Sequence, residues 1–151
     1  METLPTSSPQ PKEVAARAAV EALQQAILQL PQYQPETFHY FADGMYCRVV
    51  PRPAGIVLVG KVHKKEHFYM LIKGRIRVTT DDGIRELVAP AVLVCRPGTK
   101  RAVFSLEDSV TVTVHRTDKT DIAELEAELC EDDPTSAYGP GNVLKSLEQI
   151  P

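Results

Sequence analysis

The chain has 151 residues, 43% of them hydrophobic, and a formal net charge of −3. That length suits one domain with extensions, large enough for a core that stands without metal or disulfide staples. The small acidic excess excludes a generic nucleic-acid binder, and no apolar run reaches membrane-spanning length.

Residues 1–11 hold Pro5, Pro9, Pro11 and a Thr-Ser-Ser cluster, which predicts a flexible arm. Residues 12–31 predict an amphipathic helix, with Val14, Ala18, Leu23, Ile27 and Leu30 near helical spacing and Pro31 as the stop. One apolar stripe must dock, on the domain that follows or on a partner subunit. From residue 37 the period becomes two. Strands are expected at 37–49 with a turn at Asp43-Gly44, then at 56–62, 68–72, 75–80, 84–88, 92–95, 102–104 and 110–115. Pro51 and Pro53 break the first run, and Asp81-Asp82-Gly83 signals a tight hairpin. Many short strands punctuated by Gly, Pro and Asp predict an all-β sandwich or barrel over 36–116. A C-terminal helix follows within 117–130, with Asp121 and Glu124 favouring its positive end. Residues 131–151 form an acidic, then Gly-Pro-rich tail, in which Val143, Leu144 and Leu147 make a short apolar patch.

Cys47, Cys95 and Cys130 are odd in number and lack a Cys-x-x-Cys pair, so neither a disulfide framework nor a zinc ribbon is expected. With no basic-then-apolar start, the expected setting is a reducing cytoplasm. The charge is uneven. Lys61, Lys64, Lys65, Lys73, Arg75 and Arg77 crowd the middle, and residues 121–133 are acidic, which predicts one face that attracts anions.

Two spacings carry a resemblance. Gly55 is followed by five residues, Lys61-x-His63, three residues, His67, six residues and Gly74. Later come Pro90, five residues, Arg96-Pro97-Gly98, two residues, Arg101, three residues and Ser105. These runs resemble the two motifs of the cupin superfamily of small jelly-roll β-barrels. In metal-binding cupins the four equivalent positions carry two His, a Glu and a third His. Here they are Lys61, His63, His67 and Arg101, two permanent cations and no carboxylate. Like-charge repulsion opposes a divalent ion there, so a metal-free pocket is expected, with His63 and His67 the ligands if a metal binds at all. The resemblance implies that these four side chains share one cavity with Lys100 near its mouth. Such a set of donors suits a phosphate or carboxylate. Lys64, Lys65, Arg75 and Arg77 are read as solvated strand faces, Arg101 has Glu107 and Asp108 as rival partners, and His39 and His115 are read as ordinary strand histidines.

Val-Gly-Lys-Val-His-Lys, Lys-Gly-Arg-Ile, Pro-Gly-Thr-Lys-Arg and the run from His115 to Asp121 also resemble small cupin-like proteins of tailed bacteriophages. The resulting expectation is a phage-type binding module. It would be a homo-oligomer in the host cytoplasm that captures a small anion, nucleotide-like or phosphate-like, as in proteins that sequester nucleotide signals of bacterial immunity. Lys61, His63, His67, Lys100 and Arg101 are its ligand-binding residues, with no cofactor, membrane or nucleic-acid partner. The alternatives are a metal-dependent cupin enzyme, such as a dioxygenase or isomerase, built on His63 and His67, and a virion or assembly scaffold. No nucleophile–base pair with convincing spacing favours catalysis.

Overall fold

The structure is a computed structural model that describes residues 11–80 and 82–146, with side chains from residue 16 onward. The expected arm therefore lies almost wholly outside the described residues, as do Asp81 of the hairpin and Leu147 of the tail patch. Helix α1 spans Pro11–Ile27, and nine strands follow. They are β1 (Phe38–Ala42), β2 (Met45–Arg52), β3 (Val57–Val59), β4 (His67–Lys73), β5 (Arg75–Thr80), β6 (Gly83–Val88), β7 (Ala91–Cys95), β8 (Ala102–Ser105) and β9 (Ser109–Arg116). Helix α2 spans Ile122–Leu129, and one 3₁₀ turn covers Pro140–Asn142. The strands form two antiparallel sheets, one in the order β1-β2-β9-β4-β7 and one in the order β3-β8-β5-β6. No helix among the described residues is long and apolar enough to cross a membrane.

Two strand boundaries differ from the sequence reading. Strand β2 runs through Pro51, which pairs with Val110. Strand β1 has already ended opposite Val49, so the missing proline N–H faces no partner strand. Strand β3 is shorter than 56–62. Beyond Val59 the chain leaves the ladder, and single bonds from Gly60 N to Arg101 O and from His63 N to Thr99 O tie it to the loop before β8.

Strand β9 of the five-stranded sheet turns its polar side inward. On β9, Ser109, Thr111, Thr113 and His115 are buried between the sheets, while Val110, Val112 and Val114 occupy the opposite face. Strand β4 is mixed on its inner side, with His67, Tyr69 and Leu71 inside and Phe68, Met70 and Ile72 outside. On β2, Tyr46, Arg48, Val50 and Arg52 share the inner face. The apolar interior is consequently divided. One cluster joins Tyr69, Leu71, Ile76, Val78, Leu87, Cys95 and Val103. A second packs Tyr46 against Leu125, Leu129 and Cys130, so that α2 closes one end of the sandwich. Between them lies a polar chamber.

Helix α1 docks within the chain, though on a different stripe from the expected one. Val20 and Gln24 are buried, whereas Ala18, Leu23 and Leu30 are exposed. The reason is polar: the helix lies on the acidic segment after α2. Arg17 pairs with Glu131 at 2.9 Å, and Gln24 Nε2 donates to Asp133 and Thr135 at 3.3 and 3.2 Å. The tail is thus part of the body up to residue 146, with Tyr138 bridged to Leu144 and its hydroxyl donating to Tyr33 O at 2.6 Å.

Candidate functional site

The chamber is a cavity of about 80 Å³ between the two sheets. Strand alternation selects its walls: Arg48 and Arg52 from β2, His67 and Tyr69 from β4, Thr111 and Thr113 from β9, Leu58 from β3 and Val103 from β8. Lys61, His63 and Arg101 enter from the connecting loops.

Three imidazoles cluster at its wall: His63 and His67 line the cavity, and His115, outside the lining, stands beside them. His63, His67 and His115 each offer a nitrogen, and these nitrogens lie within 4.8 Å of one another. The rings stack, with centroids 4.3 Å apart for His63–His67, 4.9 Å for His63–His115 and 4.2 Å for His67–His115. His63 is carried in by an isolated bridge to Cys130 at the end of α2. His67 Nδ1 donates to Lys65 O at 3.0 Å, which leaves its Nε2 free of a proton. His63 Nδ1 and His115 Nε2 stand 2.9 Å apart, and the buried His115 Nδ1 has no partner.

All three rings are held neutral. Burial is the main cause for each, pushing His115 down to about 3 and His63 well below its ordinary value. The neighbouring imidazoles, Arg48 and Arg101 push His63 further the same way. His67 is also lowered, burial again outweighing the hydrogen bond to Lys65. Neutral imidazoles at this spacing are what a divalent ion with metal–nitrogen bonds near roughly 2.1 Å requires. The 2.9 Å separation suits two such bonds at about a right angle.

Of the residues singled out in the sequence, His63 and His67 come together as expected. His115 was passed over as an ordinary strand histidine, and it completes the cluster. Its signal lies in the alternation of Thr111, Thr113 and His115 with three valines, which marks a polar strand face. Arg101 lines the cavity but does not turn to Glu107 or Asp108. Its guanidinium donates to Thr79 O at 3.2 Å and Cys95 Sγ at 3.0 Å, and lies 5.6 Å from the centre of the Tyr69 ring. Lys61 lines the cavity and faces Glu126 at 3.8 Å. Glu126 of α2 lies outside the cavity lining but faces Lys61 and, at 3.7 Å, Arg48, so two of the cavity's cations have a carboxylate beside them.

Lys100 is the second correction. It is not at the mouth. Its side chain is 4% exposed and pairs with Asp133 at 3.1 Å, which fastens the tail to the sandwich. Burial pushes the Asp133 carboxyl up, but hydrogen bonds from Thr135, Lys100 and Gln24 outweigh it and hold the group at about 2. A depressed folded value stabilises the fold above the ordinary 3.8 and stops doing so as pH falls through about 2. Asp133→Asn is therefore expected to lower stability by about 2 kcal/mol at neutral pH. The gap between variant and wild type should close between pH 4 and pH 2, as read from urea unfolding at several pH values.

The other basic residues singled out in the sequence lie at the surface. Lys65 pairs with Glu128, Arg75 with Glu86 and Glu107, and Lys64 donates to Ala127 O. His39 bonds the Tyr46 hydroxyl. Glu66 is exposed, while His67 next to it is buried, so Glu66 does not join the cluster.

Several cavity groups have no partner: Arg48 Nε, Arg52 Nη1, Arg101 Nε, the Tyr69 hydroxyl and the Thr113 hydroxyl. Arg52 is fixed by one bond, from its Nε to Thr111 Oγ1 at 2.9 Å. Buried guanidinium nitrogens without acceptors are costly, and an oxygen-rich anion relieves that cost.

No family model and no curated protein matches the chain. Solved structures do. KdgF from a Halomonas species is 15% identical with a TM-score of 0.51, over 60% of this chain and 87% of that one. A cupin superfamily protein from Desulfitobacterium hafniense is 15% identical with a TM-score of 0.49, over 78% and 97%. The cupin domain of a transcriptional regulator from Enterobacter cloacae is 12% identical with a TM-score of 0.49, over 58% and all of that chain. The fold is a single cupin-like β-sandwich with N-terminal and C-terminal helices. Within it the chain carries a three-histidine cluster. At these identities the likeness speaks to the fold, and the chemistry has to come from the residues themselves.

Proposed function

We propose that this protein is a metal-dependent cupin that holds a divalent ion on His63, His67 and His115 and receives a small oxygen-rich anion beside it. The observation that carries the reading is the convergence of three neutral imidazoles whose nitrogens lie within 4.8 Å of one another. The expectation of a metal-free pocket rested on like-charge repulsion from Lys61 and Arg101 with only His63 and His67 left as ligands, and a third imidazole adds a donor that it did not count. A bound divalent ion supplies Lewis acidity to an oxygen ligand, the chemistry shared by cupin-type oxidations and isomerisations.

The chain's own groups determine what that ligand is. The histidine set contributes no negative charge, and Arg48, Arg52 and Arg101 add positive charge around it. Charge balance then calls for an anion, with the guanidinium groups on its carboxylate or enolate oxygens. Tyr69 and Thr113 add hydroxyl donors. Glu126 restrains Arg48 and Lys61 from the α2 side. A cavity of about 80 Å³ suits an anion of a few heavy atoms. A nucleotide needs several times that, since drug-sized ligands occupy roughly 300 Å³ or more. The phage setting and a nucleotide immune signal rest on short sequence runs, and the size of the cavity favours the smaller ligand.

Native mass spectrometry of the purified chain, as isolated and after equilibration with Fe(II), Mn(II) or Zn(II), tests the reading. One ion per chain is the expected result. A chain that carries an organic anion and takes up no metal would move the assignment to metal-free anion capture by the three arginines. Neither ion nor anion at tens of micromolar would overturn both.

A further inference from the structure

A second cavity lies against the chamber. Its volume is about 290 Å³, against about 80 Å³ for the chamber. Three parts of the chain border it. The end of α1 and the residues after it supply Ile27, Leu28 and Pro31, strand β3 supplies Val57 and Val59, and Ala137 lies on the third side. Among the described residues that line it, none carries a charged side chain. Its amide donors are already engaged at the walls. Gln24 Nε2 donates to Asp133 and Thr135, and Gln32 Nε2 donates to Ile27 O and Leu30 O at 2.8 Å each. A concave, uncharged site of this size takes an apolar group and has nothing to hold an ion.

Leu58, Val59 and Tyr138 line both cavities, so the partition between them is one side chain thick. Across it the chemistry changes. On the chamber side stand Arg48, Arg52, Lys61 and Arg101. Arg52 belongs to the Tyr138 end of the chamber. Tyr69 and Tyr138 act on its charge, whereas His63 and His67 feel Arg48 and Arg101. The Tyr138 side of the partition is fixed by the bond from its hydroxyl to Tyr33 O.

We propose that the two cavities hold one molecule, a carboxylate whose head lies in the chamber and whose uncharged, apolar tail lies beside β3 under the end of α1. This rests on the reading of the chamber as an anion site and adds the class of anion: the small anion is the head group of a longer acid. The passage opens by a rotamer change at Leu58, a buried side chain that borders both spaces. Each methylene that reaches the second cavity leaves water for an apolar wall, which raises affinity by up to roughly fourfold.

Isothermal titration of the full chain with straight-chain carboxylates from acetate to octanoate, and with octanol as a tail without the head, gives the test. Octanoate is expected to bind one per chain and at least about 30-fold more tightly than acetate. Ile27→Trp fills the second cavity from α1 and should bring the ratio of octanoate to acetate affinity below about 3. Val57→Trp fills it from β3 and is an independent second variant with the same expected ratio. Arg52→Gln removes a charge at the head and should weaken octanoate at least about 10-fold. Acetate binding with no gain for longer chains, or a gain that persists in both folded Trp variants, would overturn the inference and leave the chamber an anion site. Octanol that binds as tightly as octanoate would also overturn it, since the tail would then bind without the head. No binding of any carboxylate up to about 10 mM would overturn the anion reading itself, and the inference with it.

Discussion

Removing one ring, His115→Ala, should take divalent-metal occupancy from about one per chain to less than a tenth. Affinity is expected to fall at least 100-fold, since three nitrogen donors become two in a site that has no carboxylate of its own. The fold should survive. His115 is neutral and buried, and among the described residues its ring hydrogen-bonds only to His63. The loss is one buried side chain, expected to cost about 1–2 kcal/mol. Metal content by mass spectrometry and thermal unfolding separate the two effects. His39→Ala is the control, a histidine on β1 that lies outside the cluster and should leave metal uptake unchanged. Stoichiometric metal in folded His115→Ala would show that the third ring is not a ligand.

The largest effect on stability is expected at Gly74. The residue turns the chain from β4 in one sheet to β5 in the other at φ +86°, and a Cβ there would lie 2.4 Å from Asp108 O and Ser109 Oγ and 2.8 Å from Ser109 Cα. Those neighbours are backbone or a hydrogen-bonded side chain, since the Ser109 hydroxyl donates to Glu107 O at 2.7 Å, with Arg75 O a longer alternative at 3.2 Å. Gly74→Ala should therefore cost about 3 kcal/mol or more, a fall of roughly 10 °C in Tm. Gly55→Ala separates the causes. Gly55 has φ +85° but no atom near its missing Cβ, so it should lose only the backbone term, about 1 kcal/mol. Equal losses in the two variants would mean that the close approach at Gly74 relaxes freely.

Much of the fold was legible because strand signals are local. Alternation placed β4 to β9 to within about a residue, and the motif spacings brought His63, His67 and Arg101 to one cavity. Three things were not legible. Lys100 followed a motif position, yet its charge is consumed by Asp133, more than thirty residues away, and no local pattern announces such a pair. Glu126 sits on a helix that the motif does not include. His115 was misjudged because a polar residue on a strand is first assigned to the solvent side, and in this sheet the solvent side is apolar. The same inversion misdirected α1, whose buried line is set by polar contacts with the segment after α2 and not by its most hydrophobic stripe.

That inversion carries a cost in register. Because side chains alternate with period two, sliding β9 by one residue would exchange Thr111, Thr113 and His115 for three valines inside the sandwich. Apolar burial alone would reward the slip, and the wrong alignment would erase the cluster. Fixed points must hold the strand against it. Arg52 grips Thr111 from β2, and the tight crossing where Gly74 meets Ser109 leaves no room for a different residue at the start of β9. The glycine that turns the chain between sheets thereby also sets which face of β9, and so which histidine, the cavity receives.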